Sequence, residues 1–235
     1  MKIPKPLHNW SITPKQAVAI QRQLSSAVIR EGSPSNARLA AGLDAAFTPD
    51  MKGCIGGVVL WDIFDKKVVE QHTVIREVHF PYIPGLLSFR EAPALVDALR
   101  KLHNRPDLII CDGQGIAHPR RLGIASHIGL IIDLPAIGCA KSRLIGEYRE
   151  PGPQKGDRSP LRDRDELVGS VLRTRDKVKP VFISVGHKID LDTAVRIILD
   201  CAVSFRLPEP TRLADKLVAE RKKHFANLSG LKKIG

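Results

Sequence analysis

Between residues 107 and 141 the sequence reads DLIICDGQGIAHPRRLGIASHIGLIIDLPAIGCAK, and this stretch restricts the fold more than any other. Leu108–Cys111 is a short apolar run of the length expected for a strand buried on both faces, as strands of parallel sheets are. It stops on Asp112, and Gly113-Gln114-Gly115 follows at once. His118-Pro119-Arg120-Arg121 forms a basic elbow, after which Leu122, Ala125, Gly129 and Ile132 mark one face of a helix. A second apolar segment, Ala136–Ala140, delivers Lys141 at its end. Strand, helix and strand in this order predict neighbouring strands whose ends carry an acid and a base. In open α/β sheets ligands bind just outside such carboxyl ends.

The rest of the chain supplies partners for that unit. Thr13-Pro14-Lys15-Gln16 has the spacing of a capping box with proline at the first helical position. Ala17, Ile20, Leu24 and Val28 then mark one face of a helix ending near Gly32. Residues 39–47 (LAAGLDAAF) read as a strand with Asp44 inside an otherwise apolar run. Residues 54–63 and 68–78 read as an antiparallel hairpin turning at Phe64-Asp65-Lys66. Two prolines stiffen Pro81-Tyr82-Ile83-Pro84-Gly85 around Tyr82. Ser88 and Glu91 have capping-box spacing and open a helix to about residue 103, with Glu91, Leu95, Ala98 and Leu102 on one face.

Residues 146–165, dense in proline, glycine and charge and without periodicity, read as a long mobile loop. Residues 168–172 and 181–185 read as one more hairpin. Asp190-Leu191-Asp192 opens a helix, Thr211 caps a last one carrying Asp215, and residues 221–235 form a basic, loosely ordered tail. The element order predicts a single α/β domain over residues 1–235, a mixed sheet covered by helices on both faces.

Lysine and arginine number 37 against 25 acids, a net charge of +12 that suits a polyanionic partner such as a nucleic acid. No apolar run is long enough to span a bilayer, and the opening MKIPKPLHNW lacks a signal-peptide core. A cytoplasmic protein is expected, with a monomer as the default. Cys54, Cys111, Cys139 and Cys201 are far apart with no C-x-x-C pair, which predicts reduced core thiols rather than a zinc site.

Asp44, Glu91 and Asp112 each stand where an apolar residue would be expected, and unpaired buried carboxylates are costly. Mg²⁺ takes one or two such carboxylates together with water and phosphate. Acids from a central strand, its neighbour and a helix start can converge on one ion, which then activates water for in-line displacement at phosphorus. Plainer readings exist for each: Asp44 as a paired core acid, Asp112 as a turn former, Glu91 as the closing residue of the Ser88 box. Lys141, ending a buried segment, is placed for phosphate, or else snorkels at the surface. Arg90, His118, Arg120 and Arg121 are candidate contacts to phosphate or DNA; a hydrogen-bonding loop histidine and a solvated arginine face are the alternatives. Tyr82 is a candidate stacking or wedging residue, or a core tyrosine.

Together these segments resemble the endonuclease V family of deoxyinosine 3′ endonucleases. The resemblance rests on AGLDAAF at 41–47, PYIPGLLSFRE at 81–91, the run from Asp112 to Leu144, and SVGHKIDLDTAV and RLPEPTRLAD near the C-terminus. It implies a ribonuclease H-like fold in which Asp44, Glu91, Asp112 and Asp215 come from the first strand, the helix after the hairpin, the fourth strand and the final helix. It further implies that Asp44, Glu91 and Asp112 bind Mg²⁺, which Mn²⁺ replaces, and that Lys141 contacts the scissile region. Tyr82 then fills the gap left by a flipped base, and Gly85, Leu87, Gly113, Gly123, Ile124 and Leu144 surround that base. Gln114 stands where many members carry histidine, and Leu86 replaces the more usual phenylalanine.

The implied activity is hydrolysis of the second phosphodiester bond 3′ to hypoxanthine in damaged DNA, leaving a 3′-hydroxyl and a 5′-phosphate. Two rivals are an endoribonuclease acting on inosine in RNA, which would require 2′-hydroxyl recognition, and a non-catalytic nucleic-acid-binding module that keeps the fold. Loss of an acid would mark the second rival, and all four acids are present.

Overall fold

The computed structural model describes residues 1–34 and 36–231, with side chains through residue 227. Its centre is the predicted strand–helix–strand unit: β4 (Leu108–Cys111), α3 (Ile124–Ile132) and β5 (Ala136–Ala140). Strand β1 (Leu39–Phe47) runs parallel to β4, which runs parallel to β5. Strands β2 (Gly53–Asp62) and β3 (Lys67–Glu77) extend the sheet antiparallel on the β1 side. On the other side β8 (Val181–His187) pairs antiparallel with β5 and carries β7 (Glu166–Leu172) and β6 (Arg158–Asp163). The eight strands lie in the order β3-β2-β1-β4-β5-β8-β7-β6.

Alternation along β1 and β4 sends successive side chains to opposite layers. Leu43, Ile109 and Cys111 join Leu95, Leu99 and Ile128 from α2 (Ser88–Lys101) and α3. Ala40, Leu108 and Ile110 join Ile183, Val195 and Ile198 on the other face, where α4 (Leu191–Cys201) packs. The last helix, α5 (Glu209–Leu231), crosses β1 and β2 at the positions of Gly42 and Gly57. Helices thus cover both faces, as expected. All four cysteines are buried and free. Among the described residues no helix is long and apolar enough to cross a membrane.

Several local expectations change. Helix α1 (Pro14–Ser25) has the predicted capping box but stops well before Gly32. Its continuation is drawn to the end of β8, where Ile29 O accepts from Lys188 N–H at 2.7 Å and Gly32 O from Asp190 N–H at 2.8 Å. Ser88 does not cap α2: the cap position is Leu87, and the Ser88 hydroxyl lies within the first turn, 3.1 Å from His127 Nδ1. Glu91 is therefore not closing a box. Helix α3 begins at Ile124, two residues after Leu122, where the apolar face is expected to open, and Arg120 and Arg121 stay in the elbow before it. The stretch read as a loop contains β6, where Ser159 and Leu161 are buried in alternation and Pro160 sits on the free edge of the sheet. Helix α5 begins at Glu209, before Thr211, and continues through Leu231, so most of the expected tail is helical; residues 232–235 lie outside the described residues.

Candidate active site

The parallel register of β1 and β4 sets Leu43 beside Cys111, and the next peptide, Asp112 N–H to Leu43 O at 3.1 Å, carries the pairing one step further. Asp44 and Asp112 therefore leave the sheet side by side. Helix α5 brings the third acid. It can lie close on β1 because position 42 is glycine: a Cβ there would stand 2.2 Å from Pro210 O. Single carboxylate oxygens of Asp44, Asp112 and Asp215 then fall within 4.8 Å of one another. Lys141, one residue past β5, places Nζ 2.6 Å from Asp112 Oδ2 and 3.1 Å from Asp215 Oδ2.

Glu91 reaches the same region from α2 but is outside that tightest group of oxygens among the described residues. Its carboxyl is pushed up to about 8, first by burial and then by the charges of Asp44 and Asp112. Asp44 is pushed up to about 7, again by burial first, with Asp112 and Asp215 adding to it. Burial alone would lower the Lys141 ammonium, but hydrogen bonds and charge from Asp112 and Asp215 outweigh it and raise the group above the usual lysine range. Lysine thus stays charged while Asp44 and Glu91 resist ionisation. Oxygen donors held together against their own repulsion, with no imidazole or thiolate among them, fit a hard divalent cation.

The raised acids fix the sign of a pH effect. With folded values above the ordinary carboxylate range, Asp44 and Glu91 bind more protons in the folded state between about pH 4 and pH 8. Their contribution to stability is complete below the unfolded value and is lost as pH rises through about 7 and about 8. Metal-free protein is expected to lose thermal stability relative to Asp44→Asn over that window, a difference in which the histidines cancel. The increment in melting temperature from added Mg²⁺ is expected to grow over the same range. Melting curves of both chains from about pH 5 to about pH 8.5, with and without Mg²⁺, test this.

Beside the acids opens a cavity of about 420 Å³, within the size range of small-molecule sites. Asp112 and Lys141 lie on its wall, so cluster and cavity share a boundary. Every residue expected around the base lines it: Gly85, Leu87, Gly113, Gly123, Ile124 and Leu144. Tyr82 stands at its rim with 69% of its surface exposed, which removes the reading of a core tyrosine.

The basic candidates are placed differently. His118 Nε2 donates to Gly85 O at 3.0 Å while its Nδ1 accepts from Arg120 N–H, so the ring is neutral. Burial lowers it to about 4, with the Arg120 charge adding. Arg120 donates through Nη2 to the same Gly85 oxygen at 2.7 Å. Arg121 is shared by Glu166 and Asp163, each at 2.7 Å, and ties the elbow to the β6–β7 hairpin. Arg90 stacks its guanidinium 4.6 Å from the Phe47 ring centroid and donates to Phe80 O. All four side chains have partners within the protein, and of the four only His118 lines the cavity.

Two residues were not anticipated as site residues. Gln21 of α1 is buried and donates to Gly85 O at 2.9 Å and Leu122 O at 3.1 Å. With His118 and Arg120 it gives the Gly85 carbonyl three donors, which pins the turn at the cavity mouth, where Gly85 has φ of 78°. The available signal was a polar residue four after Ala17 on the apolar face of a helix. Gln114 lines the cavity and donates through Nε2 to Ser142 O at 3.0 Å, while its Oε1 is buried with no hydrogen-bond partner. Buried acceptors rarely go unpaired without a reason.

Comparison with known proteins agrees with this geometry. The family model described as endonuclease V matches residues 22–216. Endonuclease V of a Nostoc species is 49% identical over 222 residues, covering 94% of this chain and 100% of that protein. The crystal structure of Streptomyces avermitilis endonuclease V superposes with a TM-score of 0.87 at 42% identity, covering 92% of this chain and 96% of that one. Ciona intestinalis endonuclease V, solved with a 24mer DNA containing an inosine followed by a ribo-adenosine, gives 0.79 at 28% identity, with 94% and 98% covered. A ribonuclease H-like mixed sheet, converging acids and a family match over most of the length lead to one assignment: the chain belongs to the endonuclease V family.

Proposed function

We propose that this protein is a divalent-metal-dependent endonuclease that recognises hypoxanthine in DNA and hydrolyses the second phosphodiester bond 3′ to it, leaving a 3′-hydroxyl and a 5′-phosphate. The observation that carries the reading is the shared wall between an all-carboxylate cluster and a neighbouring cavity lined mainly by apolar side chains and glycine. Chemistry and base recognition need two sites at a fixed separation, and Asp112 with Lys141 joins them.

Asp44, Asp112 and Asp215, with Glu91 behind them, would hold Mg²⁺ or Mn²⁺, which supplies charge stabilisation at a phosphoryl oxygen and activation of water. The chain's own residues do the rest. Lys141 presents a permanent positive charge beside Asp112, where a phosphate on the cavity side meets it. Tyr82 offers an exposed ring to occupy the space of an extruded base, with Leu87 and Leu144, 40% and 50% exposed, beside it at the cavity. The unpaired Gln114 Oε1 suits a ligand donor: hypoxanthine carries N1–H, whereas adenine has a bare acceptor at N1. Tyr82→Ala is expected to weaken binding to a deoxyinosine duplex by about 1–3 kcal/mol, the worth of one base stack. The loss should be smaller on single strands, where no gap has to be filled; gel-shift titrations of both substrates check it.

Inosine-containing RNA is the competing substrate, and the inosine–ribo-adenosine step bound by the Ciona relative is the observation in its favour. A Mg²⁺ nicking assay on a duplex with a single deoxyinosine, beside inosine RNA of the same sequence, separates the two. Cleavage one nucleotide beyond the lesion in DNA is the expected result; cleavage confined to RNA overturns the DNA assignment but keeps the acids in their roles. Silence on both, with binding intact, overturns the nuclease reading.

A further inference from the structure

Glu70 and His72 stand two residues apart on β3, so their side chains leave the same face of the strand. That face is turned towards α2, as Val74 packing into the α2 core and Arg76 pairing with Asp97 at 2.6 Å make plain. Just past the end of α2, His103 approaches from the other side. His72 Nε2 lies 2.7 Å and His103 Nδ1 2.8 Å from the same oxygen, Glu70 Oε1. One ligand atom from each of the three falls within 4.8 Å of the others. This cluster sits on the edge strand, two strands away from β1 and its acids.

We propose that Glu70, His72 and His103 form a second metal site, of two histidines and one carboxylate, selective for a transition ion of the zinc class. The donor set sets it apart from the carboxylate centre: imidazole nitrogen suits zinc, copper and nickel, whereas oxygen-only clusters suit magnesium. Its central ligand is already oriented. Glu70 accepts from His103 N–H at 2.8 Å, from Asn104 N–H at 3.2 Å and from Asn104 Nδ2 at 3.3 Å, the outer contacts that hold a ligating carboxylate in place. Tetrahedral zinc with bonds of about 2.0–2.1 Å keeps its ligands roughly 3.3 Å apart. The two imidazoles therefore need to withdraw from Glu70 by about half an ångström, and their ligating nitrogens, now within 4.8 Å of each other, need to take up the same spacing. His103 is free to do so, its side chain being 85% exposed. Each ring nitrogen now donating to Glu70 becomes a ligand when its proton moves to the other nitrogen, and solvent takes the fourth position. The bound ion cross-links the outermost strand to the end of α2.

The test uses metal-free full-length protein and two probes, Co²⁺ for its spectrum and Zn²⁺ for stability. Wild type and Asp44→Asn are expected to develop the visible absorption of four-coordinate cobalt at one equivalent. His103→Ala, which removes only an exposed ring, should bind at least about tenfold more weakly and lose the band, as should His72→Ala. Zn²⁺ should raise the melting temperature of Asp44→Asn but not that of Asp44→Asn combined with His103→Ala. Mg²⁺-dependent nicking by His103→Ala should match wild type. A cobalt spectrum and stoichiometry unchanged in His103→Ala, or a band that vanishes in Asp44→Asn instead, overturns the proposal.

Discussion

Replacing Asp44 with asparagine is expected to reduce cleavage of a deoxyinosine duplex by about a thousandfold or more, while making the metal-free protein more stable. The two effects have one origin. Asp44 is held between Asp112 and Asp215 in a partly buried position, and its carboxyl is pushed up to about 7 because burial and like charge both oppose ionisation. Asparagine has nearly the same shape and carries no charge, so the repulsion is relieved without a cavity. The same change removes the charge that a divalent cation requires. Nicking rates and melting curves measured on one preparation decide the matter. Activity near wild type would remove Asp44 from the centre, and a lower melting temperature would show that its charge is compensated in the folded state.

Gly42→Ala should produce the second large effect, on stability and activity together. A methyl group at this position would lie 2.1 Å from the carbonyl carbon of Pro210 and 2.2 Å from its oxygen. Both are backbone atoms, so no rotamer change relieves the clash and α5 has to move. Overpacking of this kind costs about 1–3 kcal/mol, more where the backbone resists. The displacement carries Asp215 away from Asp112 and Lys141, so cleavage should fall even at temperatures where the variant is folded. Asp215→Ala separates the contributions: it should share the loss of activity and leave the melting temperature close to wild type. Unchanged stability in Gly42→Ala would mean that α5 does not rest on β1 as closely as described.

How much of this could be read beforehand differs by residue. Asp112 and Lys141 end short apolar runs, and Asp44 interrupts one; a polar group in a buried strand is visible in sequence because period and burial are local properties. Their convergence also follows once the strands are parallel neighbours. Ser88 and Glu91 show where local spacing misleads. The capping-box pattern is present, yet tertiary packing sets Ser88 against His127 and starts the helix around it. The stretch at 146–165 misled in the opposite sense, because Ser159 and Leu161 alternate for only a few residues among prolines and charges and still pair with β7.

Arg120, Arg121 and His118 mark the deeper division. Sequence alone determined that a basic elbow follows the strand ending in Asp112, together with the order of elements apart from β6, the acids at the sheet and the family they resemble. Whether those side chains face a phosphate or are held within the protein depends on groups far along the chain: Gly85 for His118 and Arg120, Asp163 and Glu166 for Arg121. The donors gathered on Gly85 O come from α1 and from the elbow, and Asp215 reaches the acids only because Pro210 rests against Gly42. Such contacts leave no period in the sequence, since neither partner alters the hydrophobic pattern around the other. Only the tertiary structure decided them, because close packing and hydrogen-bond satisfaction are settled between elements and not along one.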